Sequence, residues 1–280
     1  MKAKLAIILT LLSASRLTAQ VNDIQQFKIA VYNQTSSSPP ATPEAFFFGS
    51  GLDADPDLGI SLPMVFTSSQ DGFEFILNQN GPGSFGYGGP TYASKTNFDA
   101  DYPNGEFDYA FNYFDINSNN IADNILIVTS LTDLYSTVLP AYSPDCWTAM
   151  QNVDPAADFP LAWNSYTAAP GADYAHTFIG SYDNTTFNSQ YGSFNFDCEP
   201  YQTNVVIPAG TLQYGRSYSF LLYFSNRQTP TFTNDDGSTG TVIIGFDNQA
   251  HANLITIPPP LQIVPADTGV SRIWPVLASN

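Results

Sequence analysis

The strongest constraint on this chain is alternation. In "GEFDYAFNYF" (105–114) Phe107, Tyr109, Phe111 and Tyr113 share one face of an extended strand. Glu106, Asp108, Ala110 and Asn112 share the other. "PNG" (103–105) signals a tight turn before this run, and "NILIVTSL" (124–131) reads as its hairpin partner beyond a polar loop. Similar runs recur at 25–33, 44–51, 72–80, 159–166, 173–183, 204–210, 217–226 and 240–248, bounded by Gly, Pro, Asn and Asp. Helical periodicity is almost absent, which predicts an all-β fold. A strand must bury one face, so the four rings of 105–114 are core candidates rather than a sugar-stacking platform.

Composition supports a packed protein. Hydrophobic residues are 43% of the 280 and aromatics 14%, so disorder is not expected. Charged residues are only 12%, leaving Asn, Ser, Thr, Gln and Tyr to build the polar surface. Residues 1–19 read as an export signal: Lys2 and Lys4 precede a short apolar run from Leu5 to Leu12, with a cut after Ala19. Its removal takes away Lys2, Lys4 and Arg16, so five basic residues then face 25 acids, a net charge of −20. Such a surface repels nucleic acid and anionic membrane, and no later stretch is long enough to insert as a helix.

The domain reading is an N-terminal β-sandwich-like domain over 20–140, a second sandwich over 141–257, and a Pro-rich linker and tail over 258–280. Two prolines in "STVLPAYSPDCW" (136–147) suggest the boundary, and "IPPPLQ" (257–262) the stiff linker. Cys146 and Cys198 are the two cysteines, an even count that suggests a bridge in an exported protein. Closing that loop would stabilise by about 4 kcal/mol. The alternative is two unpaired thiols.

Residues around 159–226 resemble a fibronectin type III module. "LAW" (161–163) is similar to the family's second strand, whose Trp fills the core between two sheets. In "IPAGTLQYGRSYSFLLYFSN" Leu212, Gly215 and Tyr218 stand where the family places a leucine, a turn glycine and the tyrosine of its corner. The long insertion at 183–203, containing Cys198, departs from that pattern. The resemblance implies a fibronectin type III or immunoglobulin-like sandwich over about 141–257. The whole chain is similar to exported bacterial proteins that pair such a module with an upstream β domain, which implies no activity.

Two segments could carry chemistry. In "DINSNNIADN" (115–124) Asp115, Asn117, Asn119 and Asp123 occupy positions one, three, five and nine, a spacing that brings oxygens onto a hard cation. The stretch is similar to the thrombospondin type 3 calcium repeat. Asn120 replaces the usual Gly, and Leu126 stands where an EF-hand needs a bidentate carboxylate. Two readings therefore stand: a weak Ca2+ loop, or a solvated Asn-rich turn. "GPGSFGYGGPTY" (81–92) offers Phe85 and Tyr87 on what reads as a flexible loop, the better candidate for stacking on a glycan.

Enzyme signatures are missing. There is no HExxH, GxSxG or CxxC, and His176 and His251 are 75 positions apart. The chain reads as a secreted, non-catalytic binding or structural module of the cell surface or extracellular matrix, with no cofactor unless calcium binds. Its partner is unnamed by the sequence; polysaccharide and other surface proteins are the two classes considered. Carbohydrate binding beside a degradative system is the first alternative. A glycoside hydrolase or lyase using a pair of acids is the second.

Overall fold

The computed structural model describes residues 21–55, 58–60, 64–115, 121–183, 194–199, 201–234, 237–260, 262–265 and 271–274. The expected export signal therefore lies outside the described residues, as does most of the tail. The fold is all-β. The first half of the chain supplies β1 (Val21–Asn33), β2 (Ala45–Ala54), β3 (Leu58–Ile60), β4 (Met64–Ser68), β5 (Glu74–Gly81), β6 (Ser84–Gly88), helix α1 (Lys95–Asp101), β7 (Gly105–Asp115) and β8 (Ile121–Leu131). The second supplies helix α2 (Pro144–Ala149), β9 (Phe159–Ala162), β10 (Tyr174–Asp183), β11 (Asn195–Cys198), β12 (Asn204–Ile207), β13 (Ser217–Gln228), β14 (Thr231–Thr233) and β15 (Thr239–Ile255). A hairpin of β16 (Gln262–Pro265) and β17 (Ser271–Trp274) follows.

One long sheet dominates, in the order β11-β10-β13-β15-β1-β2-β6-β5-β4-β7-β3, with β8 on β7 and β14 on β15. At its centre β1 runs parallel to β15, from Asp23↔Thr241 to Asn33↔His251, and antiparallel to β2. A parallel pair needs a crossover connection. Here nearly the whole chain forms it.

Two cores lie on this sheet. In the first, the sheet curls until β8 meets β1, where the Thr129 hydroxyl donates to Gln26 Oε1 at 2.7 Å. Aromatic rings fill the interior. Phe66 stacks on Phe75 at 4.7 Å and on Tyr109 at 5.2 Å, and Phe48 stacks on Tyr102 at 4.7 Å. Each such pair adds about 0.5–1.5 kcal/mol beyond its buried area. Phe107 and Tyr109 are fully buried, as alternation requires, and Tyr109 shares a 2.6 Å hydrogen bond with Ser50. The side chains of Phe111 and Tyr113 lie outside the described residues.

In the second core the pair β9–β12 and helix α2 cover β10, β13 and β15, giving a sandwich around Leu161, Trp163, Tyr166, Leu212 and Phe224. Trp163 is buried. The Tyr218 hydroxyl accepts from the Gln213 amide at 2.9 Å, which is the corner contact anticipated for it. Gly215 has φ +66, so the turn before β13 favours glycine there. The long β15 serves both cores: Val242, Ile244, Phe246 and Ala250 pack in the first, Ala252 and Leu254 in the second. The two cores are thus not consecutive lengths of chain.

The expected disulfide is not formed; Cys146 and Cys198 are both buried free thiols. The two thiols make separate contacts. Cys146 turns its Sγ toward β9, where it accepts from the Ala162 amide at 3.2 Å, while Cys198 aims at the Phe196 carbonyl of its own strand. Two helical segments also interrupt the β pattern. α2 is announced by Ser143, whose hydroxyl caps the Cys146 amide, and by Pro144 and Asp145 in the first turn.

Candidate functional site

A cleft of about 280 Å3 with a largely aromatic lining lies at the open end of the first core, bounded by Asp71, Phe73, Phe75, Tyr87, Pro90, Tyr92, Ala100, Asp101 and Tyr102. Three chain segments meet there. The turn joining β4 to β5 brings Asp71 and Phe73; Asp71 Oδ1 accepts from the Phe73 amide at 3.1 Å and shapes the turn. Alternation along β5 puts Phe73, Phe75 and Leu77 on one face. Phe75 and Leu77 are covered, but Phe73 runs past the end of the core and is 59% exposed. It leans on Phe75 at 5.0 Å.

The loop after β6 supplies the opposite wall. Gly89 lies so close to the Tyr102 hydroxyl that any side chain there would collide with it. The loop then returns to β2, with Tyr92 and Phe46 exchanging backbone hydrogen bonds at 2.8 Å. Helix α1 completes the site. Its last residue, Asp101, accepts from the Tyr92 hydroxyl at 2.5 Å, and the Tyr87 and Tyr102 hydroxyls pair at 2.7 Å. Partial desolvation and the Asp101 carboxylate push the Tyr92 hydroxyl up to about 12. Burial and the Tyr87 hydroxyl raise Tyr102 further. Both phenols stay protonated at physiological pH, and the Tyr92 proton is committed to Asp101.

The result is a set of aromatic faces with hydroxyls and two carboxylates at their edges, and no basic residue in the lining. Such a surface offers apolar faces for C–H groups and acceptors for hydroxyl donors. The carboxylates both hold the wall: Asp71 through the Phe73 amide, Asp101 through Tyr92.

Of the residues singled out from sequence, Tyr87 belongs to this cleft and Phe85 does not. Phe85 is only 4% exposed, which corrects its reading as a ligand-stacking ring. Within the segment read as a flexible loop, residues 84–88 form β6, paired to β5, and strand alternation turns Phe85 into the core. Phe73, Tyr92, Tyr102 and Asp101 were not picked out as site residues. The available signal was Phe73 itself, an aromatic beside an Asp-Gly turn at the very start of the alternating run. Asn117 and Asn119 lie outside the described residues, as do the side chains of Asp115 and Asp123, so the structure gives no geometry for the calcium spacing. Among the described residues no three His, Cys, Asp or Glu groups converge as metal ligands.

His176 sits on β10, its Nε2 3.2 Å from Asp197 on β11. Burial, with help from the Arg227 charge, lowers its pKa, so the ring is neutral at pH 7. Burial pushes both thiols up, Cys198 to about 12, the opposite of what a nucleophilic cysteine requires.

No family model matches the chain, and no curated protein does. Among solved structures it is similar to the FN1-FN3 domains of chicken CNTN1, at 8% identity and a TM-score of 0.29, over 85% of this chain and 65% of that one. A structure bearing on host cell surface retention of a 1.5-MDa bacterial ice-binding adhesin gives 10% and 0.21, over 85% and 66%. The BSP domain of a biofilm associated protein gives 11% and 0.19, over 86% and 30%. The chain spans less than two thirds of the length of the first.

Proposed function

We propose that this protein is an exported, non-catalytic binding module, and that the cleft beside α1 holds a neutral carbohydrate. The observation that supports this reading is the exposed Phe73 ring at the mouth of a cleft walled by Tyr87, Tyr92 and Tyr102. The Phe73 ring continues the aromatic lining of the cleft outward, and a sugar ring presents a C–H face of suitable size to it. Asp71 and Asp101 can accept from vicinal hydroxyls at the edge of the rings. An acidic lining in a chain of formal net charge −17 disfavours uronates and sulfated glycans.

The test is affinity electrophoresis through gels carrying neutral β-glucan, xylan or mannan, with a polyuronate gel for comparison. Retention is expected on at least one neutral polymer and not on the polyuronate. Phe73→Ala should weaken retention at least about tenfold, which corresponds to about 1.4 kcal/mol, without moving the melting temperature. Equal retention of the wild type and Phe73→Ala would remove the cleft from the reading. Release of soluble sugar from the retaining polymer would replace it with a hydrolase that uses Asp71 and Asp101.

A further inference from the structure

At the rim of the first core, outside the cleft, a lysine occupies a place normally reserved for apolar groups. Lys28 lies on the inward face of β1, and its residue is 0% exposed. Lysine is almost never fully buried without a reason. Its Nζ is 2.9 Å from Asn104 Oδ1, 3.4 Å from Asp99 Oδ1, and 5.4 Å from the centre of the Phe98 ring. Asp99 is itself fixed by Lys95, which reaches its other oxygen at 2.6 Å and Asp133 at 3.0 Å. An amine, a primary carboxamide and a carboxylate therefore meet at one point, held by β1, α1 and the connection into β7.

We propose that Lys28 and Asn104 close an intramolecular isopeptide cross-link, with Asp99 relaying the proton. The Nζ lone pair attacks Cγ of Asn104, forming the new C–N bond. The proton leaving Nζ passes to the Asp99 carboxylate, which returns it to the carboxamide nitrogen. The old Cγ–N bond breaks and ammonia departs. Amine and primary amide become secondary amide and ammonia, so no oxidant or activating co-reactant is needed.

Three features favour the step. Burial lowers the Lys28 pKa against the opposing pull of Asp99, which raises the fraction of neutral, nucleophilic amine. The folded chain already holds the reacting groups in contact, and such positioning replaces a very high concentration of either partner. The product also exchanges a buried charge for a neutral amide, which removes a standing desolvation cost. The bond would tie the central strand β1 to the segment that carries α1.

The test is the intact mass of the purified protein, followed by proteolysis and sequencing of the peptides. The expected mass is one ammonia below that of the sequence, with one branched peptide joining the Lys28 and Asn104 segments. After denaturation, an amine-reactive reagent should leave Lys28 unlabelled. Asp99→Ala should restore the full mass and give linear peptides. A labelled Lys28 in the wild type overturns the proposal without recourse to any variant. So does an ammonia loss with linear peptides, since Asn104 precedes Gly105 and can cyclise onto the backbone instead. A cross-link that persists undiminished in Asp99→Ala overturns the proton relay.

Discussion

Asp247 lies on β15 with only 4% of its surface exposed, and one carboxyl oxygen has no hydrogen-bond partner. Burial raises its pKa to about 6, against the smaller lowering effects of Ser225 and Arg227. The folded value exceeds the unfolded one, so the acid form is the one the fold favours. Its contribution is fully present below the unfolded value near 3.8 and is lost as pH rises through about 6. Asp247→Asn should therefore stabilise at pH 7.5 by up to about 3 kcal/mol, and by little at pH 4. Denaturant melts at the two pH values check this; an equal effect at both would mean that the ionised form bears no penalty. Tyr218 gives the opposite kind of case. Its hydroxyl satisfies the Gln213 amide, so Tyr218→Phe strands a donor and should cost about 1–3 kcal/mol in chemical denaturation. That contact was legible from sequence, because a tyrosine six residues beyond Leu212 and just after a turn glycine has a recognisable job. The exposure of Phe73 was not, since its neighbours Phe75 and Leu77 look the same along the strand.

At the level of elements, the cleft depends on how the β6–α1 connection is held down. Gly89 touches the Tyr102 hydroxyl and the Phe48 carbonyl, so Gly89→Ala should push the loop outward. The expected outcome is a loss of about 1–3 kcal/mol of stability together with loss of polysaccharide retention. Unchanged retention would show that the loop is not a wall of the site. Phe85→Ala, by contrast, should cost about 3–5 kcal/mol, because a buried ring is removed from the β6 hairpin. The strands of this region could be read from alternation, but the helices were missed for two different reasons. α2 carries a capping serine and a proline at its start, yet the two prolines of that stretch read as a domain boundary. α1 has no side-chain cap and seven residues, too short for a 3.6-residue period to stand out.

The whole molecule is organised by β15, which hydrogen-bonds to β1 and β13 and contributes side chains to both cores. The cores should therefore melt together. Phe66→Ala in the first and Trp163→Ala in the second should each lower a single calorimetric transition. Two separable transitions would show that β15 does not couple them. Alternating residues were enough to establish strands and an all-β fold, and to place Phe107 and Tyr109 in the core, because a strand has only two faces and water separates them. The pairing of β1 with β15, the curl that closes the first core, and the ring left uncovered at its mouth were decided only by the tertiary structure. Backbone hydrogen bonds are chemically alike for every strand, so the choice of partner is written in the collective fit of side chains that are far apart along the chain.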